Sequence, residues 1–136
     1  MTLRTISTFT TTIPDDTQWS DDDEISVPGG KAIASIVREF LQALGTACGD
    51  PSLRDSYGWE LQAEFEGQLF LIVVQLVDDW ILQCEPVSKL HVESASTMLR
   101  LLANCMASDE RFGNVRWHFS TDFEKGDMSK ASDQPC

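Results

Sequence analysis

Length, composition and charge already limit the fold and the partners of this chain. Its 136 residues, of which 42% are hydrophobic and 24% charged, are typical of a single globular domain. Ten lysines and arginines against 22 aspartates and glutamates give a net charge of -12, which disfavours nucleic acid and anionic membranes as partners. The longest apolar run, 69–76, is too short to cross a bilayer, and the N-terminus lacks the hydrophobic region of a secretory signal.

The cysteines agree with a cytoplasmic protein. They are widely scattered and form no Cys-x-x-Cys pair, which predicts reduced thiols rather than a disulfide framework or a zinc site. No cofactor is predicted. The four are Cys48, Cys84, Cys105 and Cys136.

The first thirty residues form a segment with a composition of its own. They carry one base and six acids, a net charge of -5. A Thr-rich stretch of β-prone residues, 3–13, precedes an acidic run that ends at Pro28-Gly29-Gly30. We therefore predict an N-terminal segment over 1–30, unless the Thr-rich stretch is itself a strand of the sheet, and a single domain over 31–119.

The next elements follow from hydrophobic periodicity. Apolar residues at three- and four-residue spacing predict a helix over 31–45, which ends at Gly45. From Trp59 to Phe65 apolar residues alternate with polar and acidic ones, which predicts a half-buried strand. Glu66-Gly67-Gln68 then reverses the chain into a second strand, 69–76, that is apolar on both faces.

The second half of the chain completes an α+β fold. A turn at Asp78-Asp79 leads to a third antiparallel strand over 80–85, a helix follows over about 90–107, and a last strand runs over 115–119. The predicted order is helix, three-stranded meander, helix, strand, with an N-terminal strand as an optional addition. The polar tail, 120–136, is expected to be flexible. The apolar second strand requires cover from the second helix, the N-terminal segment or a second copy, so a homodimer is one of the expectations.

Two groups of carboxylates are candidates for binding a partner. The first is the contiguous run Asp21, Asp22, Asp23 and Glu24, whose spacing does not match an EF-hand and which is either a solvated linker or a surface for a basic partner. The second is Glu60 and Glu64 on the polar face of the first meander strand, near Glu66, Asp78, Asp79 and Glu85. Trp19 lies beside the first group, where the indole either docks on the domain or anchors a partner; docking is favoured.

Catalysis has less support in the sequence. The only histidines are His91 and His118, predicted at the start of a helix and on the polar side of the last strand, and no Gly-x-Ser-x-Gly motif is present. A small enzyme or divalent-metal-dependent hydrolase built on carboxylates and a histidine therefore remains the alternative to a binding protein.

The element order over 31–119, together with small size and low pI, resembles the α+β fold of class I type III secretion chaperones and related small bacterial proteins. That resemblance implies a homodimer that wraps an unfolded segment of another protein with apolar grooves and sheet edges. In size and charge the chain is also similar to small acidic immunity proteins, which plug the basic active site of a nuclease toxin. The sequence thus predicts a non-enzymatic module with an acidic surface for a basic or unfolded protein partner.

Overall fold

The computed structural model describes residues 3–55 and 57–136. This part of the chain contains three helices and nine strands. The helices are α1 (Lys31–Ala43), α2 (Val92–Ser108) and α3 (Ser120–Glu124). The strands are β1 (Ile6–Thr11), β2 (Gln18–Trp19), β3 (Ile25–Val27), β4 (Ala47–Cys48), β5 (Ser52–Arg54), β6 (Gly58–Phe65), β7 (Gln68–Leu76), β8 (Trp80–Pro86) and β9 (Phe112–His118).

Seven of the strands form one antiparallel sheet in the order β4-β6-β7-β8-β1-β9, with β5 also paired to β6. Strands β2 and β3 form a separate hairpin. The predicted α+β class is therefore confirmed, and its meander is β6-β7-β8. The optional N-terminal strand is also present, as β1, and it lies between β8 and β9 rather than at an edge of the sheet.

Local sequence explains where these elements end. Gly45 has φ 84°, and the N–H groups of Gly45 and Thr46 donate to the carbonyls of Gln42 and Leu41, so α1 closes in a left-handed turn of the Schellman type. Glu66 and Gly67 both have positive φ, 46° and 83°, as a two-residue hairpin turn requires. The last strand begins earlier than predicted, at Phe112, because β1 supplies it with a partner as far as Thr11.

One face of the sheet packs against α1 and α2 and forms the main hydrophobic core. Every second residue of the meander strands points into this core, as the alternation in β6 predicted. Its fully buried large side chains include Ile33, Leu41, Leu61, Phe70, Ile72, Leu82, Met98, Leu99, Leu102 and Trp117. The helices therefore pack on an antiparallel sheet, as predicted, and the apolar faces of α1 and α2 are both buried there.

The opposite face of the sheet is covered in part by the C-terminal segment, 119–136. Ile6, Val73 and Ile81 are at most 5% exposed although they do not belong to the main core. On the same face the Phe123 ring lies 5.4 Å from the His118 ring. Phe123 and Met128 of this segment also line one cavity together with Thr8, Gln75 and Ile81 of the sheet, so part of the second face lies beneath a segment that the sequence did not suggest as cover. Leu69, at the far end of β7, stays 40% exposed.

The C-terminal segment then passes along the outer edge of β9. Ser132 pairs with Trp117 through two backbone hydrogen bonds, of 2.6 and 2.9 Å. Pro135 accepts a hydrogen bond from the backbone N–H of Arg4 at 2.7 Å. The segment is thus tied to β9 and to the N-terminus, while its flexibility in solution stays a prediction. No helix in the described ranges has the length and apolar character needed to span a membrane.

Candidate functional site

The acidic N-terminal residues form an ordered hairpin held against the start of α1. Both carboxylate oxygens of Asp16 accept backbone hydrogen bonds, Oδ1 from Gly30 at 2.8 Å and Oδ2 from Ala32 at 3.0 Å. These N–H groups belong to the first turn of a helix, where they have no intrahelical acceptor and where the helix dipole favours negative charge. Asp16 therefore caps α1 from fourteen residues away, and fixes the base of the hairpin.

Two further contacts close the base of this hairpin. The indole N–H of Trp59, on β6, donates to the carbonyl of Pro28 at 2.8 Å. A Cβ on Gly29 would lie 2.5 Å from Thr17 Oγ1 and 2.6 Å from Asp15 Oδ1, so a larger residue at this position would displace those two side chains. The pair of glycines that the sequence marked as a break before the helix thus also lies where the hairpin packs against the start of α1.

The hairpin carries the acidic run at its tip. Ser20 and Glu24 are joined by a backbone hydrogen bond of 2.7 Å, and Asp23 takes a positive φ of 60° in the turn between them. All four carboxylates, Asp21, Asp22, Asp23 and Glu24, are exposed. The tip therefore concentrates negative charge in solvent, within one Debye length. No acidic side chain of the tip forms an ion pair in the described part of the chain.

A cavity of about 280 Å³ opens between this hairpin and the β7 end of the sheet. Five large apolar side chains line it, and all are strongly exposed: Trp19 63%, Ile25 49%, Tyr57 49%, Leu76 43% and Val77 60%. Asp15 is the charged residue in the lining. We call this feature the hairpin groove. An exposed apolar cluster with a polar rim is typical of a surface that contacts another molecule.

The position of Trp19 differs from the docking that the sequence favoured. Trp19 belongs to β2, its indole lines the hairpin groove and does not enter the core, and most of its surface is exposed to solvent. Sequence reasoning did not select Ile25, Tyr57 or Val77. The groove is assembled from three separate stretches of chain, so no periodic pattern in the sequence marks it. The one local signal was a pair of apolar residues, Leu76 and Val77, directly before the Asp78-Asp79 turn.

The second predicted acidic group lies elsewhere. Glu60 and Glu64 point to the open face of β6, as predicted from their alternation. Arg54 donates to Glu60 at 2.8 Å, which neutralises that carboxylate and raises the pKa of the guanidinium. Glu64 lines a different, shallow cavity beside Cys48 and Leu69. The structure therefore brings Trp19 and Asp21–Glu24 together on one hairpin, and leaves Glu60 and Glu64 on a separate surface.

The histidines are in contrasting environments. His91 is exposed and precedes α2, as predicted. His118, predicted on the polar side of the last strand as a surface or interface histidine, is only 4% exposed, and the ring of Phe123 packs on it. His118 Nε2 hydrogen-bonds Thr8 Oγ1 at 2.8 Å, and Nδ1 is buried without a partner. Neither imidazole is hydrogen-bonded to a carboxylate in the described ranges, so neither has the partner that orients a general base.

The cysteines show no sign of activation as nucleophiles. Cys84 is fully buried, and desolvation raises the pKa of its thiol far above the usual range. Burial also raises the pKa of Cys48 and of Cys105. A reactive cysteine needs a lowered pKa, so these three behave as packing residues. Within residues 3–55 and 57–136 no three histidine, cysteine or acidic side chains converge to hold a metal ion.

Comparison with known proteins gives no further assignment: no protein-family model matches the chain, and neither does any curated protein or solved structure. The resemblance to secretion chaperones and the similarity to immunity proteins stay predictions drawn from element order, size and charge.

Proposed function

We propose that this chain is a non-enzymatic protein-binding module, and that its hairpin groove holds an apolar, positively charged segment of a partner protein. The observation that carries the proposal is the gathering of Trp19, Tyr57 and three aliphatic side chains around one cavity, each at least 43% exposed. Trp and Tyr are enriched among the residues that dominate binding energy at interfaces.

The charge around the groove favours a cationic partner. Asp15 lines the cavity and the four carboxylates of the hairpin tip extend from the same hairpin. The arginine nearest in sequence to Tyr57, Arg54, is already paired with Glu60. Basic side chains on the partner would meet this field first, which accelerates encounter and makes the association sensitive to salt.

The base of the groove is also tied to the domain before binding. Asp16 and Trp59 tie the base of the hairpin to α1 and β6 through side-chain hydrogen bonds of 2.8 to 3.0 Å. A groove whose base is fixed in advance loses less conformational entropy when a ligand binds, so more of the buried apolar area contributes to affinity. A cytoplasmic location and a homodimer remain predictions. The charge of -12 on each copy opposes self-association through the acidic surfaces.

The experiment compares labelled probe peptides by fluorescence anisotropy. A peptide of leucines and lysines should bind more tightly than matched peptides of leucines and glutamates or of serines and lysines. Trp19→Ala and Tyr57→Ala should each weaken binding by about tenfold or more, the range expected for an aromatic anchor. Leu53→Ala and Val87→Ala are the matched controls, because both residues are exposed, at 48% and 55%, but do not line the groove.

Salt dependence provides the second arm. Affinity for the leucine-lysine peptide should fall as NaCl rises from about 50 to about 500 mM, because screening shortens the reach of exposed charges. Replacing the tip carboxylates by their amides should reduce that dependence. The proposal is wrong if Trp19→Ala binds the peptide as tightly as the unmodified protein, or if the glutamate peptide binds as well as the lysine peptide.

A further inference from the structure

A second apolar cavity lies on the other side of the β7–β8 turn. It has a volume of about 240 Å³ and lies between the open face of the sheet and the C-terminal segment. Thr8 and Ile81 line it from the sheet, while Phe123 and Met128 line it from the C-terminal segment. We call it the tail cavity.

The turn between β7 and β8 separates the two cavities and contributes to both. Val77 lines the hairpin groove and the tail cavity, and it is 60% exposed. Asp78 and Asp79, the next two residues, are exposed and line the tail cavity. Neither carboxylate forms an ion pair in the parts of the chain that the structure describes. The two cavities thus share Val77, and the two aspartates that follow it belong to the lining of the tail cavity.

We infer that the ligand of this protein is a segment with two apolar side chains, one in the hairpin groove and one in the tail cavity, and a cationic side chain between them that pairs with Asp78 and Asp79. This inference rests on the proposed function, since it assigns a second contact to the same binding segment. It adds a requirement for the ligand: an apolar, basic, apolar order rather than general hydrophobicity and charge.

Charge complementarity selects this occupant over the others. The charged side chains that line the two cavities are all aspartates, namely Asp15, Asp78 and Asp79. A second copy of this chain would place an acidic surface against them, and a wholly apolar ligand would leave Asp78 and Asp79 without partners beside a buried segment. A cationic side chain between two apolar ones supplies both contacts.

The test is a cycle of changes in the peptide and in the protein. The probes are labelled peptides in which one, two or three lysines separate two leucines, with versions in which either leucine becomes serine or the lysines become glutamine. For the spacing that binds best, loss of either leucine should weaken binding by about tenfold or more, as expected when the burial of one such side chain is lost. In the Met128→Ala protein, removing the leucine that occupies the tail cavity should no longer weaken binding much, while removing the other leucine should weaken it as before. In the Trp19→Ala protein the leucine of the hairpin groove should be the one whose removal no longer matters.

The charged contact has its own matched pair of variants. Asp78→Asn should reduce the preference for lysine over glutamine in the spacer, whereas Asp133→Asn, an exposed residue that lines neither cavity, should leave it unchanged. Thermal melting checks that each variant is folded. We expect that it is, because Trp19 and Met128 are 63% and 50% exposed and contribute little to the core.

The outcomes separate this inference from the proposed function. If Trp19→Ala weakens binding while Met128→Ala and Asp78→Asn change nothing, the second contact is refuted and the groove proposal stands. If no peptide depends on Trp19, both fail. If the peptide with a single leucine binds as tightly as every peptide with two, the two-anchor ligand is refuted.

Discussion

Asp16 and Gly30 are joined by a 2.8 Å hydrogen bond from the Gly30 N–H to Oδ1 of the carboxylate, and this contact ties the acidic hairpin to the start of α1. Gly30 itself has φ 116°, a left-handed backbone conformation that glycine adopts without strain. The acidic segment is therefore a docked part of the fold at its base and a free charged surface at its tip.

Replacing Asp16 should destabilise the protein more than replacing any tip carboxylate. Asp16→Ala leaves two N–H groups at the start of α1 without acceptors, which should lower the free energy of unfolding by about 1–2 kcal/mol. Asp22→Ala makes the same change of charge at an exposed position and is the control. Urea denaturation of both variants measures the difference; equal stabilities would show that the cap contributes nothing.

Sequence patterns predicted the elements whose contacts are local or periodic. The helix over 31–45 and the meander follow from repeats of apolar residues, and their observed bounds differ by one or two residues. The Asp16 cap was missed because it spans fourteen residues and carries no periodic signal. Gln68 was missed for the same reason. Its buried amide accepts the His91 N–H at 2.6 Å and donates to Ser88 Oγ at 3.2 Å, so it ties the β6–β7 turn to the start of α2.

The candidate site was predicted only in part. The acidic run and Trp19 stood out by composition, and both do lie on one hairpin. Tyr57 and Val77 join them through tertiary structure alone, since they come from the ends of different strands. The burial of His118 depends on Phe123, in a segment whose polar composition suggested no packing.

Stability should fall on mild acidification because of His118. Desolvation, followed by repulsion from Arg116, lowers the pKa of this imidazole below its ordinary value of 6.5. The unfolded chain therefore binds the proton more readily than the folded one, so protonation below pH 6.5 favours unfolding. In His118→Gln the free energy of unfolding should therefore depend less steeply on pH than in the unmodified protein. His91→Gln, a change at an exposed site, should keep the original pH dependence.

Denaturation curves between about pH 8 and pH 5 check this, since ordinary carboxyl groups titrate mainly at lower pH. Asp109 lies outside that window because hydrogen bonding from Arg111 lowers the pKa of its carboxyl to about 2. An unchanged pH dependence in His118→Gln would show that another group is responsible.

The pairing of Ser132 with Trp117 should protect the outer edge of β9. Ser132→Pro removes the N–H that donates to the Trp117 carbonyl at 2.9 Å, which should expose an unpaired strand edge and promote self-association. Ser132→Ala keeps both backbone hydrogen bonds and is the matched control. Size-exclusion chromatography and thermal melting should show a lower melting temperature and larger species for the proline variant only; a monomeric, equally stable Ser132→Pro would refute the role of this pairing.

Removing residues 1–30 should unfold the protein rather than release a detachable arm. The deletion takes away β1, which pairs with β8 on one side and β9 on the other, and so divides the sheet. It also removes Ile6 and Phe9, which are 5% and 3% exposed. Circular dichroism of the deleted protein should therefore lack a cooperative thermal transition.

The acidity itself can be removed without this damage. Converting Asp21, Asp22, Asp23 and Glu24 to their amides takes away four negative charges at exposed positions and leaves β1 and the Asp16 cap in place. Asparagine tolerates the positive φ of 60° at position 23. This variant should melt at the same or a higher temperature, because like charges at the tip repel one another. A cooperative thermal transition in the 1–30 deletion would show that β1 is not needed for folding. Unfolding of the amide variant would show that the tip carboxylates are needed for it.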